Sequence, residues 1–390
     1  MHSGRFVFSQ VLELISQYEF NKCVTRYNGN FHVRELDCWN QFAQLFFGQL
    51  ANLQSLRAIS VCLKAHEHQL YHLGIRKYVD SSVLSRANER RNWLIFSDFG
   101  NYLIRLVRPL YARCPVAKLN IENDIFALDS TTISVSINLF TWADGKYSRG
   151  AVKMHTLIDL RGNVPEFILI TDGKYHDSNV LDVLNIYASA IYVMDKAYVD
   201  FKALYRMHNA GAFFVTRAKD SMRYMIVEQN FNIDPATGLR SDKIVELTVP
   251  KSKKLYPENL RLVEFYDTEN AQLLVFLTNN FRVSAMEIAY LYQNRWQIEV
   301  FFKWIKQNLT VKKLWGHSEN AVKTHLWVAV CAHLSIAYLK HLTQSPLSIY
   351  EIMQILSTSL FDKTPLRELL NPKSEVQIKQ NQDVKDLQLF

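Results

Sequence analysis

Short apolar runs separated by turn residues fill residues 116–200, and this pattern constrains the fold more than any other feature. The runs are IFAL (125–128), AVKMHTLIDL (151–160), EFILI (166–170) and IYVM (191–194). Turn-forming pairs such as Asp144-Gly145 and Asp172-Gly173 lie between them. Strands this short are stable only when paired, so the segment predicts a mixed sheet within an α/β fold.

Helical patterns flank this segment, and a second β-rich segment follows it. Residues 36–63 and 285–345 place apolar side chains at three- and four-residue steps. Further strand-like pieces are AFFVTR (212–217), KIVELTV (243–249), RLVEFY (261–266) and LLVFLT (273–278). We therefore predict a helical domain at 1–115, a sheet domain at 116–345 that a β-rich insertion at 201–284 interrupts, and a C-terminal helix with a polar tail at 346–390.

The composition of the 390 residues excludes several classes of protein. Hydrophobic residues at 48% and charged residues at 21% are typical of a globular chain. The longest apolar run, residues 326–339, is too short to span a bilayer, so we expect a buried helix and no membrane partner. Five scattered cysteines without a CxxC pair favour reduced thiols in a cytoplasm over disulfides or a zinc site. Twelve histidines without an HExxH motif disfavour a metallopeptidase.

Positive charge is concentrated in the first third of the chain. Residues 1–115 hold 14 Lys and Arg against 8 Asp and Glu, which accounts for six of the eight net positive charges. A short predicted helix at 83–93 carries Arg86, Arg90 and Arg91, and the first two share a face because they are four residues apart. This pattern predicts a helix that contacts DNA; the alternative is an ordinary solvated basic face.

Two aspartates follow apolar runs of four residues. Asp129 comes after IFAL and Asp195 after IYVM. An acid in this place lies at the end of a strand, where a central sheet presents its side chains to a cleft. Either acid alone is also typical of a turn, which is how we interpret Asp124 and Asp159.

A predicted helix that begins at Ser284 and runs to Lys306 carries a third acid. At 100° per residue, four polar side chains of this helix fall within an arc of about 60°: Tyr292, Arg295, Glu299 and Lys306. Apolar residues flank the arc on both sides, so this is not a simple solvated face. The alternative is a surface ion pair between Arg295 and Glu299, which lie four residues apart.

The spacing Y-x2-R-x3-E-x6-K, with the blocks FALDST (126–131) and VMDKAYVD (193–200), resembles the IS4 family of insertion-sequence transposases. These belong to the DDE group, and the resemblance covers most of the chain. It implies an RNase H-like mixed sheet flanked by helices, a β-rich insertion between Asp195 and Glu299, and an all-α N-terminal domain that recognises terminal repeats.

The resemblance also implies a mechanism. Asp129, Asp195 and Glu299 would hold two Mg²⁺ ions, with Mn²⁺ as a substitute, because hard oxygen ligands suit these cations. Tyr292, Arg295 and Lys306 would grip phosphates of double-stranded DNA. The enzyme would cut at the terminal repeats of the element and join the ends to target DNA, working as a homodimer.

Two alternatives remain open from the sequence. One is an RNase H-like nuclease that cleaves without strand transfer. The other is a catalytically silent DNA-binding protein that keeps only the fold.

Four further cations are weaker candidates for contact with DNA. Lys153 and His155 alternate with apolar residues on a predicted strand and point toward either the acids or DNA. Arg217 and Lys219 follow a strand in the insertion.

The chain departs from its relatives in one respect. Some of them stack a flipped base on a Trp of the insertion, but residues 196–291 contain no Trp, and Lys-Ala follows Asp195 where many relatives have Arg-Gly. A DNA hairpin intermediate is therefore in doubt. The aromatic substitutes available are Phe213, Phe214, Tyr224, Phe231 and Tyr256.

Overall fold

The computed structural model of the protein describes residues 4–136, 138–143, 145, 150–308 and 313–371, the side chains of 307 and 308 excepted. The predicted turn at Asp144 and the polar tail beyond residue 371 lie outside these residues. The chain divides into two compact units. We call residues 1–110 with 303–390 the helical unit and residues 111–302 the sheet unit.

Helices build the first part of the helical unit. They are α1 (Val7–Glu13), α2 (Gln17–Arg26), α3 (Cys38–Leu50), α4 (Leu56–Ala65), α5 (Ser81–Arg90) and α6 (Leu94–Tyr111). Side chains of Ser16, Asp37 and Ser55 accept backbone N–H groups at the starts of α2, α3 and α4, which satisfies donors that have no partner inside the helix.

Aromatic rings fill the core beneath these helices. The Phe20 ring lies 5.1 Å from the rings of both Phe42 and Phe99, and Phe42 lies 5.4 Å from Phe46. All four side chains are fully buried. The apolar periodicity of residues 36–63 therefore forms the packed face that it predicts.

A mixed sheet builds the sheet unit. Its strands are β1 (Ile125–Val135), β2 (Gly150–Asp159), β3 (Val164–Asp172), β4 (Ile191–Met194), β5 (Phe213–Arg217), β6 (Tyr224–Asn230), β7 (Leu239–Leu247), β8 (Leu260–Asp267) and β9 (Gln272–Thr278). Their order is β3-β2-β1-β4-β5-β9-β8-β7-β6. β1 pairs antiparallel with β2 and parallel with β4, and β4 pairs parallel with β5. The predicted mixed sheet is confirmed.

The β-rich character predicted for residues 201–284 is present, but these strands do not form a separate sheet. β5 lies in the centre, and β9 pairs with it antiparallel through Val215–Thr278 and Arg217–Phe276. β8, β7 and β6 then extend the same sheet. Pairing in this way gives the backbone groups of β5 partners on both sides.

The remaining helices of this part of the chain are α7 (Val180–Val183), α8 (Phe201–Asn209), α9 (Pro250–Leu255), α10 (Ala285–Asn294) and α11 (Trp296–Asn308). Ser284 caps α10 and exchanges hydrogen bonds with Glu287, as the sequence predicts. The prediction of one unbroken helix to Lys306 is wrong. A turn at Arg295 separates α10 from α11, because Arg295 N donates to Tyr292 O and Ile298 N donates to Arg295 O at three-residue spacing.

Three helices complete the helical unit: α12 (Glu319–Thr343), α13 (Ile349–Ser359) and α14 (Leu366–Leu370). α12 packs against α3 and α5. It is long and apolar enough to cross a membrane, yet its apolar window is 89% buried inside the protein, as in the core helix of a soluble protein. The predicted buried helix at 326–339 is thus confirmed and is longer than expected. The domain prediction placed residues 303–345 with the sheet. Because α12 packs on N-terminal helices, these residues instead group with the helical unit.

Candidate active site

Asp129 and Asp195 follow the last paired residues of two neighbouring parallel strands. Leu128 pairs with Met194 at the end of the β1–β4 register, so both acids emerge at one edge of that pairing. Asp195 ends its strand as predicted. Asp129 does not, because β1 continues to Val135 along its longer partner β2.

Asp129 is held between a backbone donor and a cation. Its Oδ1 accepts a hydrogen bond from the backbone N–H of Ser130 at 2.8 Å, and its Oδ2 accepts one from Nη1 of Arg295 at 3.0 Å. Burial raises the pKa of Asp129 to about 6; Ser130 and Arg295 oppose this rise, and the charges of Asp195 and Glu299 add to it. Asp129 therefore lies close enough to the other two acids to be affected by their charges.

Arg295 joins two of these acids. Its Nη2 donates to Oε1 of Glu299 at 2.6 Å while Nη1 holds Asp129, and its guanidinium lies 5.5 Å from the centre of the Tyr292 ring. Burial lowers the pKa of Arg295, but Tyr292, Asp129 and Glu299 more than offset this and leave the pKa raised. The fold thus brings together Tyr292, Arg295 and Glu299, three of the four residues of the helix signature.

The other two members of the predicted set are Asp195 and Lys306. Asp195 is half-buried, and its Oδ1 accepts the N–H of Lys196 at 2.6 Å. Lys306 lies on α11 seven residues after Glu299 and is half-buried.

The donor set of the three acids fits a hard divalent cation, since carboxylate oxygens are the ligands that Mg²⁺ prefers. In their present positions, however, no three His, Cys, Asp or Glu side chains of the described residues lie close enough together to hold a metal ion. Arg295 takes up Oδ2 of Asp129 and Oε1 of Glu299. A cation that binds these two oxygens competes with the guanidinium for them.

A fourth acid, which the sequence analysis missed, supports the strand that carries Asp129. Oδ1 of Asp177 accepts the hydroxyl of Ser130 at 2.8 Å and Nζ of Lys153 at 3.2 Å. His155 Nδ1 lies 3.6 Å from the same oxygen. Asp177 lies five residues beyond the end of β3, so the pattern that singled out Asp129 and Asp195, an acid directly after an apolar run, does not reach it.

Lys153 and His155 therefore face Asp177 and not Asp129. His155 is fully buried, and its Nε2 lies 3.0 Å from Thr171 Oγ1. Burial lowers its pKa to about 4, so the ring is neutral near pH 7. In this position its side chain has no surface for DNA, and its place is that of a structural support.

The three arginines predicted to contact DNA from α5 and its end differ in exposure and in their hydrogen-bond partners. Arg86 and Arg90 are exposed on α5. Arg91 instead donates to Asp37 O at 3.1 Å and to Gln41 Oε1 at 2.6 Å, which fixes it to α3 and the residue before it.

The two cations predicted in the insertion also differ. Lys219 donates to Val199 O at 2.7 Å. Arg217 is half-buried at the end of β5, and its charge helps to lower the pKa of Tyr292, which burial raises overall. Arg217 therefore lies near Tyr292.

The aromatic substitutes for the missing Trp divide into two groups. Phe214 and Tyr256 are buried in the core, whereas Tyr224 and Phe231 are exposed and Phe213 is half-buried. Burial of the first two leaves them no face on which a base could stack.

Trp296 is a further aromatic that the sequence analysis passed over, because the search ended at Tyr292. It is 52% exposed and directly follows Arg295. It lines a cavity of about 330 Å³ in the sheet unit. Other lining residues are Phe265, Phe276, Tyr290, Tyr292 and Arg295.

Several known proteins are similar to this chain. The relatives include transposase y4zB of Sinorhizobium fredii, 29% identical over 74% of this chain and 80% of the relative. The transposase for insertion sequence element IS5377 of Geobacillus stearothermophilus is 29% identical over 71% of each chain. The transposase for element IS4SA of Synechocystis is 25% identical over 67% of this chain and 72% of the relative. The predicted resemblance to insertion-sequence transposases is confirmed.

Among solved structures, the cryo-EM structure of the piggyBac transposase synaptic complex with hairpin DNA is similar with a TM-score of 0.47 and 10% identity, over 95% of this chain and 82% of that one. Residues 3–76 match a domain of unknown function, DUF4372. Residues 121–335 match the model described as "Transposase DDE domain". That model spans more than half of the chain, so this chain belongs to the DDE transposase family and is an enzyme of DNA transposition that depends on a divalent metal ion.

Proposed function

We propose that this enzyme cuts phosphodiester bonds at the ends of an insertion sequence and joins the freed 3′-hydroxyls to target DNA with Mg²⁺. The observation that carries this proposal is that Arg295 bridges Asp129 and Glu299 at 3.0 and 2.6 Å, while Asp195 directly follows β4, the parallel neighbour of the strand that carries Asp129. Two bound Mg²⁺ ions, with Mn²⁺ as a substitute, would activate the attacking oxygen and neutralise the charge on the leaving oxygen.

The residues of the site would divide this work. Asp129 would contribute to holding both ions, and Asp195 and Glu299 would each contribute to one. The Ser130 N–H holds Oδ1 of Asp129, and Arg295 holds Oδ2. Cleavage and joining are the same displacement with different nucleophiles, so one site serves both steps.

Arg295 and Tyr292 would hold a phosphate beside the reacting bond, and Lys306, on the following helix α11, would contact the DNA further along. The planar guanidinium suits two phosphate oxygens, and the Tyr292 ring supports it from one side.

DNA recognition would involve the helical unit. Arg86 and Arg90 are exposed on α5 and four residues apart, so they can reach phosphates together. Arg217 would contact DNA near the acids, whereas the bonds of Arg91, Lys153 and Lys219 within the protein favour structural roles. We further propose that the enzyme acts as a homodimer on paired ends, in the bacterial cytoplasm at the nucleoid.

The test is a cleavage and joining assay with labelled duplexes that carry the DNA flanking both sides of the gene, with and without Mg²⁺. We expect metal-dependent cleavage followed by joining. Glu299→Gln should bind the duplexes and fail to cut them, while the exposed Glu228→Gln is a matched control that should cut normally.

The same assay separates the alternatives. Cleavage without joining would point to a nuclease, and specific binding without cleavage to a silent DNA-binding protein. Cleavage by Glu299→Gln at the normal rate would remove Glu299 from the site.

A further inference from the structure

We propose that Arg295 is an internal counter-ion that competes with the divalent metal for Asp129 and Glu299, and that a DNA phosphate releases it. Metal binding and DNA binding are thereby coupled through one side chain. This inference rests on the proposed function of the three acids and concerns how their metal site is controlled.

The first support is the bonding of Asp129. Both of its oxygens have partners: Oδ1 accepts the backbone N–H of Ser130, and Oδ2 accepts the guanidinium of Arg295 at 3.0 Å. The Ser130 donor belongs to strand β1 and stays in place. A metal ion at Oδ2 of Asp129 therefore competes with Arg295 for the same oxygen.

The second support is that Glu299 is held by the same guanidinium. Its Oε1 accepts Nη2 of Arg295 at 2.6 Å. One positive charge thus neutralises two of the three acids that a divalent ion would use. Since like charges repel, a metal ion at these oxygens is disfavoured while the guanidinium holds them.

The third support is that the contacts of Arg295 are ones it can leave. Arg295 donates only one hydrogen bond to each carboxylate and not a bidentate pair. Glu299 is also 58% exposed, so water weakens its ion pair with Arg295. The buried Nε of Arg295 has no hydrogen-bond partner among the described residues. Arg295 also lies at the turn between α10 and α11 and not within either helix.

The fourth support is a place for the displaced side chain. Arg295 and Tyr292 both line the 330 Å³ cavity of the sheet unit, and the guanidinium lies 5.5 Å from the centre of the Tyr292 ring. A phosphate there offers the planar donors a charged partner that replaces both acids.

Coupling of this kind is reciprocal. If DNA raises the affinity for metal, then metal raises the affinity for DNA by the same factor. The arrangement would keep the acids neutralised by protein until a DNA end is bound, so the nuclease chemistry would be assembled only on substrate.

The experiment measures Mn²⁺ binding to the full chain by electron paramagnetic resonance, with and without a saturating blunt-ended DNA duplex. For the unmodified protein we expect the duplex to tighten Mn²⁺ binding about tenfold or more. Arg295→Gln should bind Mn²⁺ more tightly than the unmodified protein without DNA, and the duplex should then add less than about twofold.

Two further variants keep the result interpretable. Arg206→Gln removes the same charge from an exposed surface pair with Asp182 and should change neither affinity. Arg295→Lys keeps the charge but loses the planar fork that reaches both acids, so it should also bind Mn²⁺ more tightly without DNA. It decides the question if Arg295→Gln does not fold.

The outcomes separate this inference from the proposed function. If the folded Arg295 variant keeps the full enhancement by DNA, or binds Mn²⁺ no more tightly than the unmodified protein without DNA, the counter-ion role is overturned. If Glu299→Gln binds Mn²⁺ as well as the unmodified protein does, the metal site itself is misplaced and the proposed function fails first.

Discussion

Arg261 and Arg295 both pair with carboxylates in the sheet unit, but they use their donors very differently. Arg261 grips both oxygens of Asp242 at 2.8 and 2.9 Å, and its remaining Nη1 donates to the carbonyl oxygens of Asn280 and Val283. Arg295 instead divides its two Nη groups between Asp129 and Glu299. Two strands of one sheet carry the first pair, and the second lies at the edge where β1 and β4 stop pairing.

The difference separates a fixed ion pair from an exchangeable one. A buried pair with every donor used is costly to break, because removal of one partner leaves a charge without compensation. A guanidinium shared between two acids, one of them exposed, loses less free energy when it exchanges these acids for another anion. The following changes test whether this contrast holds, beginning with the largest expected effect.

Asp129→Asn should reduce DNA cleavage by on the order of a thousandfold, because the site loses a charge that acts on the reacting phosphate. The free energy of unfolding should change by less than about 1 kcal/mol, since burial already disfavours the charged form of this acid. Cleavage rates and denaturant unfolding measure the two effects. Asp182→Asn, at an exposed pair, is the control, and near-normal cleavage by Asp129→Asn would contradict the assignment.

Arg261→Gln should lower the free energy of unfolding by about 3–5 kcal/mol, because Asp242 is then buried without its partner. Urea denaturation followed by circular dichroism measures this loss. The exposed Arg240→Gln, on the same sheet, provides a comparison and should change stability little. A loss of stability below about 1 kcal/mol for Arg261→Gln would show that Arg261 and Asp242 are not a fixed ion pair.

His325 in the helical unit should make stability depend on pH. Burial lowers its pKa to about 3, and its Nδ1 accepts the N–H of Trp315 at 3.2 Å. Its folded pKa lies below the ordinary value near 6.5, so its contribution is complete above that value and declines as the pH falls from about 6.5 toward 3. The slope from this group is at most about 1.4 kcal/mol per pH unit.

Unfolding of the unmodified protein and of His325→Gln, measured from pH 7 to pH 4, checks this prediction. The variant should be less stable at pH 7 and should lose less stability as the pH falls. Parallel curves for the two proteins would show that His325 does not titrate as a buried group.

Arg295→Gln should change the free energy of unfolding least, by less than about 1 kcal/mol, because its partner Glu299 is exposed and Asp129 tolerates neutralisation. Its effect should appear in DNA and metal binding instead. A loss as large as that expected for Arg261→Gln would make the two arginines equivalent and the contrast would fail.

The sequence predicted the parts of the site that follow from local periodicity. Glu299, Arg295 and Tyr292 are three and four residues apart, and that spacing brought them together even though a turn interrupts the helix at Arg295. Asp195 was correctly placed at the end of a strand because IYVM is short and apolar. Asp129 was assigned the same position wrongly, because pairing of β1 with β2 beyond Asp129 depends on residues 150–156, which no local pattern connects to it.

Other features lay beyond sequence reasoning for a similar reason. Asp177 is 47 residues from Ser130 and 24 from Lys153, and only the β1–β2–β3 pairing brings these side chains together. The grouping of α12 with α3 and α5 joins segments more than two hundred residues apart. A helix that is apolar on all sides does not specify its neighbours.

The sequence by itself determined the family, the three acids and the helix signature, because these depend on residue type and on spacing within single elements. The tertiary structure alone decided what surrounds them. It showed that Arg295 bridges two of the acids, that Lys153 and His155 serve Asp177, and that the insertion extends the central sheet. Such contacts arise between segments far apart in the chain, where the chemistry of each residue is fixed but its partner is chosen by packing and by the pairing of backbone groups.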